Sequence, residues 1–348
     1  MTTRHMTTTT NALVQPALNR VDAIFRAALV ARRDGSGAGA GNLYAGSEGP
    51  EAMLAAFRLL AEGTPLIRFG HVGANRIIDG VTRDREAIHV VDIGIGHGIQ
   101  WDDLLARMAT RPLRPRLRLT GVDLASPGSN PAAALERTGA RLSALADRLG
   151  IDFRFEPHVG CVEDLERPRT DANEDLVVNA ALALHHVADG DAVIDPARGR
   201  RAVLRRLATW KPSLLTLIEP DAGHNDVAFP ERLREARRHY GLVFDVFAHL
   251  FPHDPAERTT LERRFFGSEI LNVVASEGHA RVERHDRIRT WCRRMEEAGF
   301  APLSLGALAP SHEAALGLQP PFTVELRKSA MALCFGGRSL LGVSAWRS

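Results

Sequence analysis

IHVVDIGIGHGIQWDD, residues 88–103, decides how the rest of the chain is read. Apolar residues run into Asp92, and glycine then stands at every second position: Gly94, Gly96 and Gly98. A buried strand has no use for glycine, which costs backbone entropy and packs nothing. The stretch therefore turns sharply or lets something approach its backbone closely. Its pattern, D-x-G-x-G-x-G, lies between a short apolar strand, AIHVVDIG, and a helix, WDDLLARMATR. The acids of that helix fall in its first turn, where they suit the helix dipole.

Working outward, strands and helices alternate from residue 86. LRLTGVD is a second strand that ends on Asp123, and the helix PAAALERTGARLSALADRLG starts at Pro131 and stops at Gly150. IDFRFEP is a third strand, EDLVVNAALALHHV holds a fourth and SLLTLIEPD a fifth. Such alternation predicts an α/β fold, a mostly parallel sheet with helices on both faces. Residues 86–223 are thus the first part of a Rossmann-like core. Residues 1–15, polar and rich in threonine, read as a disordered tail. Residues 16–85 read as an N-terminal helical cap segment, and 224–290 as a helical insertion that joins the cap. Residues 291–348 return to the sheet and close in a hairpin turning at Gly336–Gly337.

The composition narrows the classes of function. Hydrophobic residues make up 45% and charged residues 25% of the 348, as in ordinary globular proteins. Lys plus Arg number 44 against 42 Asp plus Glu, so no electrostatic footprint for direct nucleic-acid binding is expected. The three cysteines lie far apart and form neither a disulfide framework nor a CxxC pair. No apolar run approaches the roughly 18 residues of a membrane span, and the start has no signal-peptide core. A cytoplasmic protein without membrane contact is expected, and an exposed cap helix could support a homodimer.

In doubly wound sheets ligands bind beyond the carboxyl ends of the strands. The nicotinamide fingerprint G-x-G-x-x-G would need glycine where Ile99 stands. The loop instead matches the one that holds S-adenosylmethionine in Rossmann-like methyltransferases. That cofactor is therefore expected, on Gly94, Gly96 and Gly98, with Asp92 near its amino-acid end. Asp123 would accept the ribose hydroxyls, Val162 and Asp164 would border the adenine, and Asn179 ends the fourth strand beside them. Methyl transfer needs positioning and, for a protonated nucleophile, a base. His185 and His186 could supply one near neutral pH, unless they cap or pack the following helix. Glu219, at the carboxyl end of the fifth strand, points into the expected crevice, unless it anchors the cap. His224, Asn225, Tyr240 and Asn272 are the residues assigned to substrate. His249, His253 and Asp254 lie near this region, but no spacing matches a metal cage, so no metal is expected.

Motifs along almost the whole chain add a resemblance. PLIRFGHVGANRIIDG precedes, and IHVVDIGIGHGIQWDDLLARMATRP is similar to, the VHIID motif of the GRAS family. IEPDAGHNDVAFPERLREARRHYGLVFD resembles its PFYRE region, and LLGVSAWR its closing SAW motif. The chain looks like a bacterial member. The resemblance implies a Rossmann methyltransferase-like core with a helical cap. Plant members are transcriptional regulators that act through protein partners and usually have a degraded glycine loop. Here all three loop glycines remain, which favours retained S-adenosylmethionine. The function expected is therefore methylation of a small-molecule substrate at oxygen or nitrogen. The alternative is a non-catalytic ligand-binding or regulatory scaffold module.

Overall fold

A computed structural model describes residues 7–36, 50–125, 130–327 and 329–348. Its centre is strand β1 (Ala87–Ile93), in which all seven residues are buried, as in a strand covered on both faces. Around it lie β2 (Arg116–Asp123), β3 (Phe153–Val159), β4 (Asp175–Ala181) and β5 (Leu214–Pro220). These five run parallel in the order β3-β2-β1-β4-β5. The order reverses at β1 and β4, so the crevice at their carboxyl ends is the switch point.

Beyond β5 the sheet turns antiparallel. β9 (Arg338–Arg347) pairs with β5, β8 (Ala330–Phe335) with β9, and β7 (Phe322–Arg327) with β8; the two-residue β6 (Ala301–Pro302) also pairs with β9. Gly336 and Gly337 take φ of 55° and 72° in the β8–β9 turn, the left-handed pair that a tight hairpin requires. The expected strand in AGFAPLSLG shrinks to β6, and β7 was not expected at all.

Helices α1 (Thr7–Arg33), α2 (Pro50–Gly63), α3 (Pro65–Val81), α4 (Gln100–Ala109), α5 (Ala133–Leu149) and α6 (Arg200–Thr209) come first in the chain. They are followed by α7 (Phe229–Leu250), α8 (Pro255–Thr259), α9 (Phe266–Ala275), α10 (Ile288–Ala298) and α11 (Ala309–Leu316). One core cluster joins Ile78, Leu104, Leu142 and Ile218 with Val243 and Ile270 of the cap helices. Another joins Val178 and Leu215 with Leu204, Leu207, Trp291 and Met295 of α6 and α10. The sheet is thus covered on both faces, as the alternation predicts.

Two expectations about the first 85 residues change. Helix begins at Thr7 inside the segment read as a tail; residues 1–6 lie outside the described residues. Helix α3 lies on the sheet against β5 and β9 instead of in the cap. Gly70 makes that approach possible, because a Cβ there would stand 2.6 Å from Ile218 Cγ2. The cap proper is α1 packed on α7 and α9. Arg20 reaches Glu262 with two hydrogen bonds, of 2.7 and 2.9 Å, and Arg237 reaches Asp22 at 2.8 Å. These contacts tie the N-terminal helix to the insertion. Among the described residues, no helix is long and apolar enough to cross a membrane.

Candidate functional site

The glycine loop leaves β1 through Gly94, Gly96 and Gly98, whose φ values are 80°, 52° and 65°. Gly98 meets α5 closely: a Cβ there would lie 2.9 Å from Thr138 Cγ2. Gly96 faces open space. Asp123 bends back over the crest, where Oδ2 accepts from Gly96 N (3.1 Å) and Oδ1 from Leu124 N (2.7 Å). Burial raises its pKa.

Asp92 is turned into the protein. In register, Asp92 lies opposite Asn179, and Asn179 opposite Thr216, so three adjacent strands present one polar row. Asp92 Oδ1 accepts from Asn179 Nδ2 and Oδ2 from Trp101 Nε1, both at 2.7 Å. Thr216 Oγ1 donates to Asn179 Oδ1 at 2.7 Å. Gln100 Nε2 donates to Asn179 Oδ1 and Asn75 Oδ1, each at 3.2 Å, so the network continues into α3. Burial pushes Asp92 up to about 7 against the two hydrogen bonds that favour its charge.

Asp164 pairs with Arg198 on the surface and Val162 is buried in the core. The residues assigned to S-adenosylmethionine do not fit it as a set. Asp123 is partly exposed and has lone pairs to spare for a ribose. The amino-acid end has no such group, since Asp92 is 2% and Asn179 0% exposed.

The catalytic candidates form a second, closed cluster. The turn Leu184–His186 follows β4. His185 Nδ1 lies 2.7 Å from Glu219 Oε2, and Glu219 Oε1 accepts from Leu184 N (3.0 Å) and His185 N (3.2 Å). On its other side His185 Nε2 lies 3.3 Å from Glu283 Oε2. Burial works against charge on this ring, but Glu219 and Glu283 outweigh it and push the pKa to about 10. A base needs a free lone pair near neutral pH, and in this arrangement His185 holds its proton between two carboxylates. His186 is the half-exposed member, its pKa lowered to about 4 by burial and then by His185.

The substrate candidates serve neighbouring contacts. His224 is buried, its Nδ1 3.2 Å from His285 Nδ1. Asn225 donates to Asp189 (2.7 Å) and Asp286 (3.2 Å). Tyr240 donates to Glu269 at 3.1 Å. Asn272 clips the segment 280–283: its Nδ2 donates to Ala280 O, and its Oδ1 accepts from Val282 N and Glu283 N. The structure thus brings His185, Glu219 and His224 together and leaves Asp123 and Gly96 at the other edge of the crevice.

Sequence reading missed Glu283, His285 and Arg200. Glu283 and His285 stand two apart in an extended segment, so they share one side of it. That parity was the available signal. Arg200, 1% exposed, donates to Asp286 at 2.7 Å and to the carbonyls of His185, Val187 and Arg284 at 2.9–3.1 Å. It locks the turn after β4 to this segment.

The profile of the GRAS domain family matches residues 4–347. The chain is 31% identical over 299 residues to "Chitin-inducible gibberellin-responsive protein 2" of Oryza sativa subsp. japonica, covering 84% of this chain and 55% of that protein. It is 30% identical over 300 residues to "Scarecrow-like transcription factor PAT1" of Arabidopsis thaliana, covering 85% and 61%. The crystal structure of SCL7 from Oryza sativa superposes with a TM-score of 0.79 at 32% identity, covering 94% of this chain and 89% of that one. The chain thus spans little more than half the length of the two curated relatives. These plant proteins leave the bacterial placement without support. Similarity to a protein named as a transcription factor also overturns three expectations: a methyltransferase enzyme, a small-molecule substrate, and partners that exclude nucleic acid. The profile match over nearly the whole sequence, and relatives and a solved structure at 30–32% identity, show that the chain belongs to the GRAS domain family.

Proposed function

We propose that this chain is a non-catalytic regulatory module that acts in transcription by presenting its folded surface to partner macromolecules. The observation that carries this reading is the engagement of the would-be catalytic groups. His185 is held between Glu219 and Glu283, and Asp92 and Asn179 are spent on Trp101, Thr216 and each other. Groups committed in this way build a core joint, and none of them is a base poised over the crevice. The naming of one relative, PAT1 of Arabidopsis thaliana, as a transcription factor supports the same reading. On this reading the protein works with the transcription machinery rather than in the cytoplasm expected from the sequence. The glycine loop is then a structural turn that carries β1 into α4, and it binds no S-adenosylmethionine.

The test is a reporter assay with the chain fused to a heterologous DNA-binding domain. The reading predicts altered reporter output that survives Glu219→Gln at matched protein level. Unaltered output, together with transfer of a labelled methyl group to small molecules of an extract, would reverse it.

A further inference from the structure

The buried cluster between the sheet and the cap has the donor set of a metal centre. His185, Glu283 and His285 each offer one ligand atom, and the three atoms lie within 4.8 Å of one another. Glu283 Oε2 is 3.3 Å from His185 Nε2 and 3.3 Å from His285 Nε2. Ligands at the usual 2.0–2.2 Å from a tetrahedral zinc stand about 3.4 Å apart, so two edges of the ligand triangle are already set. The rings of His185 and His285 stack with centroids 4.4 Å apart.

The surroundings are those that metal-bound imidazoles need. A ligating histidine normally gives its other N–H to a carboxylate or another acceptor, which fixes its orientation. His185 Nδ1 has Glu219 at 2.7 Å, itself anchored by two backbone N–H groups. His285 Nδ1 has His224 Nδ1 at 3.2 Å. Asn272 fixes the Glu283 backbone through a 2.9 Å bond. A divalent cation would take the place of a proton on His185 Nε2, between that ring and Glu283, while Glu219 keeps the Nδ1 N–H. His186, with Nδ1 3.7 Å from Glu283 Oε1 and a side chain 36% exposed, marks the way in from solvent.

We propose that His185, Glu283 and His285 bind one zinc ion. The expectation of no metal rested on spacing along the chain; the ligands instead converge from the turn after β4 and from the segment that leads into α10. The ion would staple the insertion to the carboxyl edge of the sheet. This proposal does not depend on the regulatory reading above.

The experiment uses the untagged full chain, stripped with a chelator and dialysed against stoichiometric zinc. Elemental analysis after gel filtration should give one zinc per chain, and the melting temperature should rise with added zinc. His285→Gln and Glu283→Gln should lose both effects, whereas His279→Ala, on the exposed surface, should keep them. Should the variants not fold, cobalt(II) in the wild-type chain gives a second reading: visible d–d bands of four-coordinate character that zinc displaces stoichiometrically. Wild-type protein that retains no zinc and gives no such bands overturns the proposal. Zinc held equally by folded His285→Gln overturns the assignment of the ligands.

Discussion

Gly98→Ala should destabilise the fold by about 1–5 kcal/mol, and Gly96→Ala by no more than about 1.6 kcal/mol. Both glycines have positive φ, 65° and 52°, and a left-handed backbone costs an L-residue about 1–2 kcal/mol. Alanine recovers roughly 0.4–1 kcal/mol by restricting the unfolded chain. The difference lies in what the new methyl meets. At Gly98 it would stand 2.9 Å from Thr138 Cγ2 and 3.0 Å from Leu142 Cδ1, and overpacking of this kind costs about 1–3 kcal/mol. At Gly96 nothing lies within 4 Å. Thr138 also donates to Gly96 O at 2.9 Å, so displacing it loosens the loop. Denaturant unfolding with unchanged slope would read both costs. Equal losses, or a larger loss at Gly96, would refute the claim that Gly98 is needed for packing against α5 and Gly96 only for its conformation.

Other perturbations probe the remaining joints. Trp101→Phe removes the 2.7 Å hydrogen bond to Asp92 and should cost about 1.5–3 kcal/mol, measured by denaturant titration. Arg200→Met leaves three buried carbonyls without their donor and should cost about 3–5 kcal/mol; Asp286 keeps Arg294 at 2.9 Å, which favours the lower end. His312 is held neutral by burial, its pKa lowered from 6.5 to about 4. A depressed histidine gives stability that is complete above pH 6.5 and is lost as the pH falls through about 4. That loss is worth roughly 3 kcal/mol. His312→Gln, able to donate to Phe69 O as His312 Nε2 does at 3.1 Å, should flatten that part of the acid limb in a pH series of melting curves.

Much of the fold could be read from local pattern. β1 is legible because seven buried residues precede a glycine alternation that no strand would tolerate. The β8–β9 hairpin is legible from its paired glycines. What could not be read depends on which face meets which neighbour. Helix α3 has a clear apolar period, but periodicity does not say that the sheet covers it. Asp92 looked ligand-facing until the register set it beside Asn179 and Thr216. Glu283 and His285 were hidden because a short extended run among arginines carries no apolar alternation. Their partner His185 lies about a hundred positions earlier. The functional reading erred at the same point. Intact glycines keep the turn of a cofactor loop, while the groups that would complete a methyl-transfer site serve packing.

The most direct test of this account is a calorimetric titration of the folded chain with S-adenosylmethionine, with Gly96→Arg as control. The account predicts no saturable heat from either protein. Micromolar binding by the wild-type chain that Gly96→Arg abolishes would contradict it and return the glycine loop to service as a cofactor site.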